Sequence, residues 1–215
     1  MKHYYPMMVD LSARRCLVVG GGVVAERKVL SLVEAKADVI VVSPQVTSRL
    51  EQLALVGQIR WICRPYQSED GLDSFLVIAA TDRQEVNVEV HQDASQRRQW
   101  INVVDRPDLC NFTVPSSVKR GKLQISISTS GASPSLAKKI RHELEDVYGD
   151  EYHLYLDLMQ EVREWIQREV PDHKRRAQLM KELVSDEWIE RCRTHPNEVR
   201  MMMFYWIDQQ ISVRT

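Results

Sequence analysis

Paired cysteines and metal-binding histidine spacings are both missing from this sequence. The four cysteines, Cys16, Cys63, Cys110 and Cys192, stand far apart and form no CxxC. That argues against a thiolate metal site or a redox dithiol and fits a reducing compartment. Cys16 and Cys63 fall inside strand-like runs and read as small core residues. The six histidines give neither HxH nor HExxH, so no metal site is expected. Charge of one sign is also lacking. Lys and Arg number 29 against 30 Asp and Glu, which removes any general pull toward nucleic acid. The start, Met1-Lys2-His3-Tyr4-Tyr5-Pro6, has no apolar signal stretch, and no window is apolar enough to span a bilayer. A cytoplasmic protein with no membrane partner is expected.

What remains is an ordinary globular composition, 44% hydrophobic and 27% charged, over a length that suits a nucleotide domain plus a smaller one. Short apolar, largely β-branched runs recur at 16–19, 39–42, 59–63, 75–80 and 101–104. Parallel strands buried on both faces look like this. Helices fit 23–34, 46–55 and 84–97 between them. The alternation predicts an α/β fold with a Rossmann-like doubly wound parallel sheet.

The most informative stretch is Gly20-Gly21-Gly22-Val23-Val24-Ala25, between the first strand and its helix. Gly20, Gly22 and Ala25 take the three small-residue places of a dinucleotide fingerprint. They serve a tight turn, close approach of backbone to a pyrophosphate, and close helix–strand packing. The helix N-terminus adds unpaired N–H groups and partial positive charge. The second strand ends in Ser43, where an acid for the NAD ribose is usual. Serine can bond a hydroxyl but repels a 2′-phosphate less than a carboxylate does. NAD remains the expected cofactor.

The pattern changes near residue 112. Leu123-Gln124-Ile125-Ser126-Ile127-Ser128 alternates strictly and reads as a half-buried strand in need of a partner. Ser133 and Pro134 open a helix over 134–148, with Leu136, Ile140, Leu144 and Val147 along one stripe. Beyond about 150 the chain reads as helical. One helix carries Tyr155 to Ile166, a second Leu179 to Trp188, and a third Val199 to Ile207. The expected divisions are 1–112 for nucleotide binding, 113–148 as a small α+β dimerisation segment, and 149–215 as a helical domain. A homodimer built from residues beyond 112 is expected.

Asn102-Val103-Val104-Asp105 puts a carboxylate where the fifth strand should end, facing a cofactor crevice. It could accept a proton while a hydride leaves to a nicotinamide. It could equally cap the turn Arg106-Pro107-Asp108. Ala79-Ala80-Thr81-Asp82 ends the fourth strand. Small residues there suit a nicotinamide ribose, placing Thr81 at the cofactor, and Asp82 reads first as a cap for the next helix. His142 lies on the helix after the serine-rich loop, a position that suits either a substrate contact or plain solvation. The groups Lys119, Arg120 and Lys122, and Lys138, Lys139, Arg141 and His142, could hold a polyanionic small molecule.

These strings together resemble the sirohaem synthase family, and within it the precorrin-2 dehydrogenase module. The likeness rests on Gly20 to Lys28, Ala79 to Asp82, Asn102 to Asp105, Phe112-Thr113-Val114-Pro115 and Ser130-Gly131-Ala132-Ser133-Pro134, and covers about 1–148. It implies NAD-dependent oxidation of precorrin-2 to sirohydrochlorin, in some members ferrous iron insertion as well, and a homodimer. It implies that Asp105 is catalytic and that Val23, Val24, Pro44 and Gln45 contact NAD. The family lacks the ribose acid too, so Ser43 is no anomaly in it. The serine-rich loop implied to meet substrate falls on Ser128, Thr129, Ser130 and Gly131. The methylation steps are expected of another protein. Precorrin-2 carries eight carboxylates, which suits local basic patches. Two alternatives stand beside a dehydrogenase: one that is also a ferrochelatase, and a nucleotide-sensing regulatory module.

Overall fold

The computed structural model describes residues 2–212. They fall into two compact units, Met1–Val114 and Pro115–Thr215. In the first, five parallel strands lie in the order β3-β2-β1-β4-β5. They are β1 (Arg15–Val19), β2 (Asp38–Val42), β3 (Arg60–Ile62), β4 (Leu76–Ala79) and β5 (Trp100–Val103). The crossovers are helices α1 (Val23–Glu34), α2 (Ser48–Leu55) and α3 (Gln84–Gln96), with a 3-10 turn at Ser68–Gly71 before β4. β1, β2 and β4 are nearly solid Val, Ile and Leu because both sheet faces are covered. Cys16, Val18, Val29, Val41 and Ile78 pack on one face; Leu17, Ile40, Val77, Val90 and Ile101 pack on the other. Both windings leave from β1, so the strand order reverses between β1 and β4. Their carboxyl ends open there into a crevice. The α/β Rossmann-like architecture is as the sequence predicts.

Two expectations fail in detail. Cys63 lies past the end of β3 and is exposed, its thiol donating to the Pro44 carbonyl at 3.3 Å. β3 is short, so the apolar run outlasts its ladder. Cys16 and Cys192 are buried, and burial pushes each thiol up to about 11, leaving them protonated near neutrality.

The second unit opens with an antiparallel hairpin, β6 (Ser116–Arg120) and β7 (Leu123–Ile127). Helix α4 (Pro134–Val147) follows, with Ser133 accepting from the Leu136 N–H at 3.2 Å as its cap. Helices α5 (Glu151–Glu169), α6 (His173–Glu182), α7 (Asp186–Thr194) and α8 (Val199–Ser212) complete it around Leu158, Val162, Ile166, Leu179 and Met203. The stripe Leu179 to Trp188, expected as one helix, is two. Leu183 closes α6, the Tyr155 hydroxyl donates to its carbonyl at 2.9 Å, and extended Ser185 starts α7. The apolar spacing runs unbroken through the turn because both helices face one core. No described helix is long and apolar enough to cross a membrane.

Candidate active site

The glycine turn joins β1 to α1. Gly20 has φ +124°, and a Cβ there would lie 2.3 Å from the Ala80 carbonyl oxygen. Only glycine allows that approach. A Cβ on Gly21 would lie 2.0 Å from the Gln45 carbonyl oxygen, a constraint that sequence reading left unassigned. Gly22 is different: its Cβ would meet nothing within 4 Å. It is the N-cap of α1, and no side chain caps the helix there. The first turn of α1 is therefore left without a side-chain cap beside open space at Gly22, as a bound pyrophosphate requires. Val23 is 67% exposed beside them, whereas Ala25 is fully buried against the sheet. These residues fit a dinucleotide.

The end of β2 is held by its own hydrogen bonds. The Ser43 hydroxyl donates to the Gln45 carbonyl at 2.7 Å, and Trp61 Nε1 donates to the Ser43 carbonyl at 2.9 Å. Ser43 is 9% exposed, so the structure gives it a turn to hold, while Pro44 and Gln45 present exposed surface. The Thr47 hydroxyl donates to Glu26 at 2.5 Å, tying the first turn of α1 to the cap of α2.

Opposite this, a cavity of about 200 Å³ is lined by Thr81, Asp82, Asn87, Val104, Asp105 and Arg106, among others. Asp105 has φ +60°, a left-handed backbone uncommon outside glycine but tolerated by Asp and Asn. It follows β5 by two residues, and its carboxylate has no hydrogen bond or ion pair among the described residues. The turn-capping alternative thus finds no partner atom. Strain of this kind gathers where a side chain must be aimed. The turn after Asp105 is stitched back onto β5. Cys110 takes the Val103 N–H at 3.2 Å and donates toward the Val103 and Arg106 carbonyls at 3.3 Å. Lys2 Nζ donates to the carbonyls of Pro107, Asp108 and Cys110 at 2.7, 2.8 and 2.5 Å. Asp82 does not cap α3, whose N-cap is Arg83 without a side-chain bond. Instead the Thr81 hydroxyl accepts from the Arg83 N–H at 3.2 Å, and Asp82 stays on the cavity wall.

Asn87 is a site residue that sequence reading missed. It is 6% exposed, and its side chain accepts from the Thr81 N–H and hydroxyl and donates to the Thr81 carbonyl, at 3.2, 2.8 and 3.0 Å. One amide thus fixes the loop that walls the cavity and abuts Gly20. An asparagine three residues into a helix, eight past a strand end, was the available signal. Asn87→Leu should strip three Thr81 groups of their partner and cost about 1–3 kcal/mol of stability. It should also weaken dinucleotide binding. Urea unfolding together with a dinucleotide titration would check both; unchanged values in each would show that water replaces Asn87.

The remaining predicted residues belong to the second unit. The Thr129 hydroxyl accepts from the Ser133 N–H and donates to its carbonyl, both at 3.1 Å, so it closes the loop on itself. Ser128 accepts from the Ser130 N–H at 3.1 Å. Ser130 and Gly131, with φ +52° and +85°, form the exposed crest. His142 Nδ1 lies 3.0 Å from Glu145 on the same helix. The expected basic patch is largely paired: Arg120 with Asp150, Lys122 with Asp157, Lys139 with Glu143, and Arg141 with Glu145. Exposed pairs of this kind are worth little and can exchange for a ligand's carboxylates. No cluster of three or more metal-binding side chains exists among the described residues.

Fold and glycine turn together define a dinucleotide-binding protein of the Rossmann-like class, and the family described as "Putative NAD(P)-binding" matches residues 7–116. A second family, sirohaem biosynthesis protein central, matches residues 120–146. The chain belongs to the precorrin-2 dehydrogenase family of sirohaem-biosynthesis proteins. The solved structure of SirC, precorrin-2 dehydrogenase, matches 96% of this chain and all of its own, with TM-score 0.83 and 30% identity. Siroheme synthase of Actinobacillus succinogenes is 42% identical over 143 residues, 66% of this chain. That of Actinobacillus pleuropneumoniae is 33% identical over 189 residues, 88% of this chain. The chain spans only 30% and 39% of those two relatives.

Proposed function

We propose that this protein oxidises precorrin-2 to sirohydrochlorin with NAD. The observation that carries the reading is Asp105: a free carboxylate, held by a left-handed turn, on the same cavity wall as Thr81, which abuts the glycine turn. When bound, NAD accepts a hydride. Precorrin-2 loses that hydride and one proton, giving sirohydrochlorin, NADH and H⁺. The first-turn amides of α1 hold the pyrophosphate, Gly22 leaves room for it, and Thr81 bounds the nicotinamide side. Asp105 takes the proton from the macrocycle. The loop Ser128 to Gly131 and His142 contact the substrate's carboxylates in this reading. A purely regulatory nucleotide sensor needs no free acid in that cavity.

The assay is anaerobic, with precorrin-2 and NAD⁺, with and without ferrous iron as a second substrate. Spectra should show sirohydrochlorin without iron. Unchanged precorrin-2 would refute the dehydrogenase reading. Conversion to sirohaem only when protein and iron are both present would add the ferrochelatase activity.

We further infer a cytoplasmic homodimer, with 113–148 as the dimerisation segment and 149–215 as a helical domain. On α4, Leu136 and Val147 are exposed, and Leu123, Ile125 and Ile127 on β7 are only half-buried. A two-stranded hairpin whose apolar face is only partly covered is marginal alone. Sedimentation at micromolar concentration should give twice the 25.0 kDa chain mass; a monomer would remove the dimer.

A further inference from the structure

The basic run His173-Lys174-Arg175-Arg176 plays no part in the dinucleotide site. Helix geometry sorts it. His173, Arg176, Ala177 and Met180 stand at i, i+3, i+4 and i+7, one face of α6. Arg163, Ile166 and Gln167 stand at i, i+3 and i+4 on α5. These two faces line a cleft of about 280 Å³ inside the second unit. Its floor is apolar: Ile166 is 1% exposed and Met180 half-buried. Its rim is rich in donors, with no Asp or Glu in the lining.

The rim is also unspent. Most other arginines of this unit meet a carboxylate, as Arg193 meets Glu151 and Arg200 meets Glu161. Arg163, Gln167 and His173 have no hydrogen-bond or ion-pair partner among the described residues. Arg176 is anchored by one bond, Nη2 to the Pro171 carbonyl at 3.2 Å, while its Nε is buried with no partner. The Arg163 guanidinium and the other terminal nitrogen of Arg176 have no acceptor among the described residues, and an anion in the cleft would supply one. Asp172 is the acid nearest to Arg176 in sequence. Its two oxygens are taken by the Lys174 and Arg175 N–H groups at 3.1 and 3.2 Å.

We propose that the α5–α6 cleft is a binding site for a compact organic carboxylate. The carboxylate meets Arg176 and Arg163, and a short apolar body lies over Ile166, Ala177 and Met180. The two requirements are separable. Inorganic phosphate supplies charge without the body, and a neutral alcohol supplies the body without charge. The site is independent of the dinucleotide reading, because neither its residues nor its test involves the first unit.

The test uses the full chain carrying ¹³C-methyl methionine, with the Met180 signal assigned by Met180→Leu. Hexanoate is the probe, with hexan-1-ol and inorganic phosphate in parallel. The Met180 signal should shift saturably with hexanoate. Hexan-1-ol and phosphate should each bind about tenfold or more weakly. Arg176→Gln should weaken hexanoate about tenfold, the size of one lost charge-assisted hydrogen bond. Arg163→Gln, at an exposed position where folding is not at stake, should weaken it as well. An unmoved Met180 signal, equal binding of hexan-1-ol, equal binding of phosphate, or unchanged affinity in both arginine variants would each overturn the proposal.

Discussion

Asp105→Asn should slow precorrin-2 oxidation about 10²–10⁴-fold, the range a positioned general base supplies. The backbone reason for choosing asparagine is specific to this turn. Asp105 sits at φ +60°, and asparagine tolerates that region about as well as aspartate, whereas alanine adopts it less readily. The aspartate carboxylate bonds no described residue, so removing its charge breaks no contact that holds the turn. The Cys110 and Lys2 bonds that hold the loop remain. Folding and NAD affinity should therefore stay near wild type while the chemical step falls. If water takes the proton, the rate should change only a few-fold, and Asp105 would be a substrate contact. Rapid mixing with saturating NAD⁺ separates these outcomes.

Gly22→Asp should abolish NAD binding without unfolding the protein. Gly22 has φ −80°, open to any residue, and a Cβ there meets nothing within 4 Å. Aspartate is a favoured N-cap, so it should bond a first-turn amide and raise stability by a few tenths of a kcal/mol. That same carboxylate fills the pyrophosphate's place and repels it. The contrast is Gly20→Ala. There φ is +124° and the added carbon would lie 2.3 Å from the Ala80 carbonyl oxygen, so stability itself should suffer. Calorimetric titration with NAD⁺ and thermal unfolding of both variants would show it. Wild-type NAD affinity in folded Gly22→Asp would remove the dinucleotide assignment to this turn.

The parallel sheet was legible because β4, and β1 and β2 beyond their first residue, are buried on both faces and must be apolar there. α1 begins and ends as predicted, since the glycines fix its start. β6 was not foreseen. Ser116-Ser117-Val118-Lys119-Arg120 holds one buried apolar residue, Val118, and leaves no alternation to read. The break between α6 and α7 was hidden for the opposite reason: its apolar spacing continues through the turn. At the site, the residue types of the glycine turn and of Asp105 could be read directly. What they do could not be read so far. The free carboxylate of Asp105 and the occupied hydroxyl of Ser43 depend on backbone shape. Asn87 matters only through Thr81, and its place three residues into α3 is the one sign of that pairing in the sequence.

The most direct test of the central claim is a single anaerobic turnover with enzyme in excess over precorrin-2, following the tetrapyrrole and NADH together. The account predicts one NADH for each sirohydrochlorin, at matching rates, and no oxidation when NAD⁺ is omitted. Sirohydrochlorin formed without NADH, or no oxidation with NAD⁺ bound, would contradict it.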